Sequence, residues 1–168
     1  DPNPAHAGRG IDILRDAGVH VEMANEEFQT RATRLNLIFN HNITTGNALV
    51  AIKLAESVNG MLAEVKGQPS RITEAEARTD MMNWRRLFPA ICVGSGTVLA
   101  DNPTLTARLP KETFCPVRLV LDASLSTLEE SVFPRNLYTD EYISQTKVLT
   151  TALGIKNETA VKKAEELG

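Results

Sequence analysis

Hydrophobic positions along the chain alternate between two spacings, one near 3.6 and one of 2, and these mark out the expected elements. Residues 11–17 place Ile11, Leu14 and Arg15 at helical spacing, with Gly18 suited to end the helix. Val19 and Val21 then alternate with His20 and Glu22, which predicts a brief half-buried strand over 19–22. Residues 26–39 predict one helix with Phe28, Ala32, Leu35 and Phe39 on a common face and Glu26 and Glu27 at its positive end. A polar loop is expected over 40–46. LVAIKLA, residues 49–55, follows as a strand that carries Lys53 inside an apolar run. Such a lysine emerges at an end or edge, or is paired, because burying it alone is costly. Asn59-Gly60 closes that strand in a turn and residues 61–63 offer a short return.

Thr73 and Glu76 are spaced as a capping box, ahead of a helix expected to bury Ala77, Met81, Trp84 and Phe88. Arg85 and Arg86 fall near its end, where the ordinary role is dipole compensation on a solvated surface. Pro89 stops the helix, and the apolar run 90–93 reads as a buried strand. Gly94-Ser95-Gly96-Thr97 is expected to turn tightly past it, and Asp101-Asn102-Pro103 to make a second turn before Leu105, Thr106 and Arg108. A strand opening into glycines, hydroxyls, a carboxylate and an arginine suits a ligand mouth, although it also suits an ordinary strand-to-loop connection. Further strands are expected over 116–122 and 147–151, with irregular chain over 125–135 between them. A last helix capped by Asn157 has Ala160, Ala164 and Leu167 on one face. Strands alternating with helices predict an α/β sheet layered with helices.

Composition narrows the functional classes. Of 168 residues, 42% are apolar and 23% charged, so the chain should fold. Its net charge of −3, from 18 basic and 21 acidic residues, gives no footprint for duplex nucleic acid. No apolar run approaches the length of a membrane span, and DPNPAHAG lacks a signal-peptide pattern. Cys92 reads as a small core residue and Cys115 as a loop thiol. Neither forms a C-x-x-C pair, so a reduced, cytoplasmic protein without a zinc site is expected.

Several segments together resemble one family, the bifunctional riboflavin-biosynthesis deaminase–reductases. DPNPAHAGRGIDILRDAGVHVE resembles the end of that family's deaminase domain, and IKLAESVNG its first reductase strand. ITEAEARTDMMNWRR resembles the next helix, and VGSGTVLADNPTLTAR the central signature, with PVRLVLD at a suitable distance. The resemblance implies a deaminase tail over 1–24, a connection over 25–46 and a reductase domain over 47–168 that stops short of the family's C-terminal part. It implies a dihydrofolate-reductase-like fold with a mixed, mostly parallel sheet.

By the same resemblance, NADPH would reduce the ribosylamino group of a phosphorylated pyrimidine to a ribitylamino group. Lys53 matches the lysine beside the substrate sugar, and Lys53 or Asp101 would assist proton transfer. Ala55, Thr97 and Asp101 match NADPH positions, and the Gly94 and Gly96 amides would bond cofactor oxygens. Arg85, Leu105 and Arg108 match substrate positions, the arginines as phosphate partners. Pro69 and Arg71 stand where many members have a substrate-contacting serine and a tryptophan beside the cofactor, and Asn59 replaces an aspartate. The family's zinc belongs to the deaminase part, whose H-x-E and P-C-x-x-C set is missing from this sequence. A homo-oligomer is an open expectation. The alternatives are a non-catalytic binding module, or a pteridine- or folate-type reductase, against which Arg85 and Arg108 argue.

Overall fold

The computed structural model describes residues 2–6 and 8–168. The chain divides into two compact units, Asp1–Lys53 and Leu54–Gly168.

The first unit is helical. Helix α1 spans Arg9–Asp16 and ends, as expected, at a left-handed Gly18 with φ of 80°. Helix α2 spans Glu26–Leu35 and begins at Asn25, whose side chain accepts from the Phe28 amide at 3.1 Å. The single helix expected over 26–39 instead breaks at Asn36, where φ is −112° and helix α3, Leu37–Thr45, begins. The expected polar loop is therefore mostly helix. The hydroxyls of Thr44 and Thr45 donate back to the Asn40 and His41 carbonyls, and a left-handed Gly46 closes the last turn. No residue of these three helices is buried, so their apolar faces lack the packing that normally selects a single long helix.

Neither the strand expected over 19–22 nor the one over 49–55 forms, and both segments run without a ladder. Val50 and Ile52 are more than four-fifths exposed. Alternation describes a surface that fits a sheet but supplies no neighbouring strand to pair with.

In the second unit, helix α4 spans Ala75–Leu87 with Glu74 at its N-cap, so the Thr73 capping box does not form. Thr73 instead offers its carbonyl to the Arg78 guanidinium. The half-buried face of α4 carries Arg78, Met81, Met82 and Arg85, while Trp84 is half exposed, contrary to the core role expected of it. Long arginine stems lie along apolar surface as readily as a ring does, and here they take the inner face.

Strands β1 (Ala90–Gly94), β4 (Val117–Leu121) and β5 (Thr146–Leu149) make a parallel sheet in the order β1-β4-β5. Between β1 and β4 lie helix α5 (Ser95–Asp101) and an unforeseen antiparallel hairpin of β2 (Ala107–Arg108) and β3 (Thr113–Phe114). The glycine turn expected after β1 is in fact the start of α5, and Asp101 is its last residue. Helix α6 spans Asn136–Thr139, and helix α7, Glu158–Leu167, starts at the expected Asn157 cap, which accepts from the Ala160 amide.

The core lies on one face of the sheet. Ile91, Val93, Val120 and Val148 meet Val98, Leu105, Leu125, Leu128, Leu137, Tyr138 and Ala160 there. The alternate residues Cys92, Val117, Leu121 and Leu149 point to the other face and are exposed. Cys92 is thus not a core residue: period-two geometry sends it opposite to Ile91 and Val93.

Candidate functional site

Two groups of predicted residues are brought together, one on α5 and one where α4 meets β2. The first begins at Gly94, which caps α5 in extended geometry without any side chain taking the first helical amides. Those amides have no partner inside the helix. A methyl group built on Gly94 or Gly96 would meet nothing within 4 Å, so packing within the protein does not explain either glycine. Gly96, Thr97 and Asp101 are exposed. Open amides beside a hydroxyl and uncrowded glycines fit the phosphate or hydroxyl oxygens of a dinucleotide. Helix α5 ends in a left-handed Asn102, φ 42°, whose side-chain oxygen and carbonyl accept from Asn136 at 2.8 and 2.7 Å.

The second group is built on the next residues. Arg85, on the inner face of α4, donates from Nη1 to the Thr106 carbonyl at 2.7 Å. Arg108, at the end of β2, donates from Nη1 to the hydroxyl of Thr104 at 2.8 Å and to that of Thr106 at 3.4 Å. The two hydroxyls lie 3.2 Å apart. Burial, then the charge of Arg108, lowers the pKa of the Arg85 guanidinium. The buried Nε of Arg85 has no hydrogen-bond partner, and neither arginine joins an ion pair among the described residues. Two guanidiniums beside two hydroxyls, with no carboxylate between them, favour an anion.

Leu105 sits between the threonines in a left-handed conformation, φ 57°, with its side chain 4% exposed in the core. Its contribution to the mouth is therefore backbone geometry rather than side-chain contact. Arg86 has a structural role, different from the dipole compensation expected of both helix-end arginines. It pairs with Glu112 at 2.8 Å and lies 4.5 Å over the Phe114 ring, pinning the hairpin.

Of the other predicted residues of the second unit, Ala55, Pro69 and Arg71 are not drawn into either group. Lys53 is exposed and ends the first unit, Ala55 is half buried, and Pro69 and Arg71 are exposed in loop. Asp122, the residue after β4, is engaged within the fold. It is 1% exposed and accepts from the Ser126 amide and hydroxyl and from the Thr127 amide. Burial raises its pKa, but these bonds outweigh that effect and leave it lowered. Thr104 was missed as a site residue, and Thr106 entered only as one hydroxyl of the expected ligand mouth, although threonines two and four positions before Arg108 were visible in TLTAR. No group of His, Cys, Asp or Glu among the described residues is arranged to hold a metal ion, and no helix there is long and apolar enough to cross a membrane.

Residues 48–167 match the family model described as RibD C-terminal domain. The chain belongs to the RibD C-terminal domain family. It is 41% identical over 140 residues to the riboflavin biosynthesis protein RibD of Bacillus amyloliquefaciens, covering 83% of this chain and 36% of that one. It is 35% identical over 166 residues to RibD of Aquifex aeolicus (strain VF5), covering 99% and 44% respectively. Among solved structures it resembles Acinetobacter baumannii RibD, form 1, with a TM-score of 0.69 and 28% identity over 99% of this chain and 50% of that one. It also resembles a Thermotoga maritima diaminohydroxyphosphoribosylaminopyrimidine deaminase/5-amino-6-(5-phosphoribosylamino)uracil reductase, with a TM-score of 0.70 and 26% identity, covering 98% and 49%. The chain thus spans half or less of the length of these RibD relatives. The expected α/β class, dihydrofolate-reductase-like in this family, stands.

Proposed function

We propose that this chain provides the reductase part of a riboflavin-biosynthesis enzyme, reducing 5-amino-6-(5-phosphoribosylamino)uracil to its ribitylamino product with NADPH. The observation that carries the reading is the convergence of two guanidiniums on one short turn without a carboxylate: Arg85 on the Thr106 carbonyl, and Arg108 on the Thr104 and Thr106 hydroxyls. That arrangement suits the phosphate of a sugar phosphate, with charge-assisted bonds from both guanidiniums. A pteridine-type substrate without an anionic group would leave it unused.

NADPH, when bound, supplies the hydride. The chain's own residues bind and orient. The amides at Gly94 and Gly96 and the Thr97 hydroxyl hold cofactor oxygens, with Ala55 and Arg71 as further contacts. Lys53 delivers the proton to the sugar oxygen as the ribose ring opens, and Asp101 takes up polar hydrogens of substrate or cofactor. Leu105 shapes the mouth and Pro69 borders the substrate. Residues 1–24 are then a deaminase-domain tail and 25–46 a connection, a division supported by the family match beginning at 48. The reading carries a reduced cytoplasmic setting and a homo-oligomeric assembly, the latter checked by light scattering.

The test follows absorbance at 340 nm as the full chain meets NADPH and the phosphorylated substrate, with Arg108→Met beside it. Substrate-dependent oxidation of NADPH that weakens in the variant supports the reading. Ribose 5-phosphate binding without any turnover would instead make the chain a binding module. Equal rates with NADH would remove the cofactor preference.

A further inference from the structure

The middle strand of the sheet carries an arginine where its neighbours are valine and leucine. Arg118 is fully buried, on the core face of β4. Burying a guanidinium is costly, and even a well-paired buried ion pair is weak evidence for stability. Here every nitrogen is engaged. Nε donates to the Thr146 hydroxyl at 2.9 Å. Nη1 donates to Asp140 Oδ2 at 2.6 Å and to the Thr104 carbonyl at 3.0 Å. Nη2 donates to Asp140 Oδ1 at 2.8 Å and to the Leu137 and Tyr142 carbonyls at 3.1 and 2.8 Å.

One of these bonds leaves the structural core and reaches the site. The Thr104 carbonyl is held from behind by Arg118, while the Thr106 carbonyl is held from the α4 side by Arg85. Between them lies Leu105 in its left-handed conformation, which a non-glycine residue keeps only when its surroundings over-determine it. That turn sets where the Thr104 and Thr106 hydroxyls stand, and both receive Arg108.

We propose that Arg118, oriented by Asp140, is a positioning residue for the anion mouth: it fixes the Thr104–Thr106 turn so that Arg85 and Arg108 converge on the substrate phosphate. This rests on the sugar-phosphate reading above. Arg118 touches no substrate and acts through the Thr104 carbonyl alone. A Lys in its place supplies one point of charge instead of a planar fork and cannot reach Asp140 and Thr104 together in the same geometry.

The test uses the full chain and ribose 5-phosphate, with the Kd from calorimetry, kcat and KM for the phosphorylated substrate, and the melting temperature. Asp140→Asn and Arg118→Lys are compared with Thr146→Val, which removes a different bond of the same arginine and leaves Thr104 held. The expected result is a rise of roughly tenfold in Kd and KM for Asp140→Asn and Arg118→Lys, the scale of one charged hydrogen bond, with kcat within about twofold. Thr146→Val should lower the melting temperature and leave Kd and KM unmoved. If all three variants lower the melting temperature alike and none shifts Kd or KM, Arg118 is structural only and the proposal is overturned. Should Arg118→Lys not fold, Asp140→Asn decides the matter alone. Arg108→Met separates the two levels. If it weakens binding while Asp140→Asn does not, only the positioning role fails; if the parent itself does not bind the sugar phosphate, the phosphate reading fails and the positioning role with it.

Discussion

Arg85 and Arg108 stand close enough for the charge of one to lower the pKa of the other, yet both are tethered to the same residue, Thr106. Like charges held together in this way weaken each other until an anion joins them. Arg108→Met should therefore weaken ribose 5-phosphate binding about tenfold or more, and Arg85→Met similarly, with little change in NADPH binding. Binding by the parent should fall as salt is added, and sulfate should compete. Calorimetry at two ionic strengths measures both effects. Unchanged affinity in both variants would remove the phosphate from this site.

Gly96 offers a test in which stability and binding move in opposite directions. It lies inside α5 with open space where a Cβ would stand. Gly96→Ala should raise stability by up to about 1 kcal/mol through helix propensity. If NADPH lies against those amides, the same methyl group should raise its Kd severalfold. A more stable protein with unchanged NADPH binding would place the cofactor elsewhere. Gly154→Ala is the contrast: its methyl would fall 2.0 Å from Thr150 Oγ1 and 2.9 Å from the Ala123 carbonyl, and should destabilise by about 1–3 kcal/mol.

Asp122 governs acid stability locally. Its carboxylate is buried and favoured by bonds from Thr127 and Ser126, so its folded pKa lies below that of the unfolded chain. The stabilisation is present above the unfolded carboxylate pKa and is lost as pH falls through the folded value. Asp122→Asn should cost about 1–3 kcal/mol near neutral pH. It should also flatten the loss of stability on acidification, as urea melts at several pH values would record.

Thr127 and Tyr138 share a buried hydroxyl–hydroxyl bond of 2.7 Å that joins the turn after β4 to α6. Tyr138→Phe or Thr127→Val alone leaves one buried hydroxyl unpaired and should cost about 1–3 kcal/mol, while the double change should cost less than the sum. Burial also raises the pKa of the Tyr138 phenol, with the bond to Thr127 opposing and the charge of Asp122 assisting. Its contribution is complete below the unfolded phenol pKa and fades as pH rises through the folded one. An additive double-mutant cycle would show that the bond is not coupled.

Residues whose role is local were the most legible in the sequence. Gly18 ends α1 and Asn157 caps α7 because each position answers to neighbours within one helical turn. The strands at 90–93 and 116–122 were legible because short apolar runs have no other stable place. Whatever depends on distant partners was not. Cys92 and Trp84 fit an apolar pattern, but which face is covered depends on elements far along the chain. Lys53 lies in a strand-like segment that finds no ladder.

The site was half legible. Arg85, Leu105 and Arg108 came from a family resemblance, and the geometry adds that Arg85 and Arg108 both bond to Thr106. Thr104 was hidden, and Thr106 stood out little, because threonines are common before a short strand. Arg118 was hidden more deeply, since in PVRLVLD it reads as an ordinary strand residue. Its partner Asp140 is 22 residues away and separated by a helix.

The one-sided sheet also gives the molecule two chemically unequal thiols. Cys92 stands in the open on the uncovered face, whereas burial raises the pKa of Cys115 despite the nearby charge of Arg118. Thiolate, not thiol, attacks a maleimide or a disulfide reagent. Cys92 should react first and Cys115 slowly, giving two resolved phases by mass spectrometry of timed samples. The fast phase is then a built-in gauge of the bare face: whatever comes to cover it, added chain or second copy, will be registered as a slowing of one cysteine and not the other.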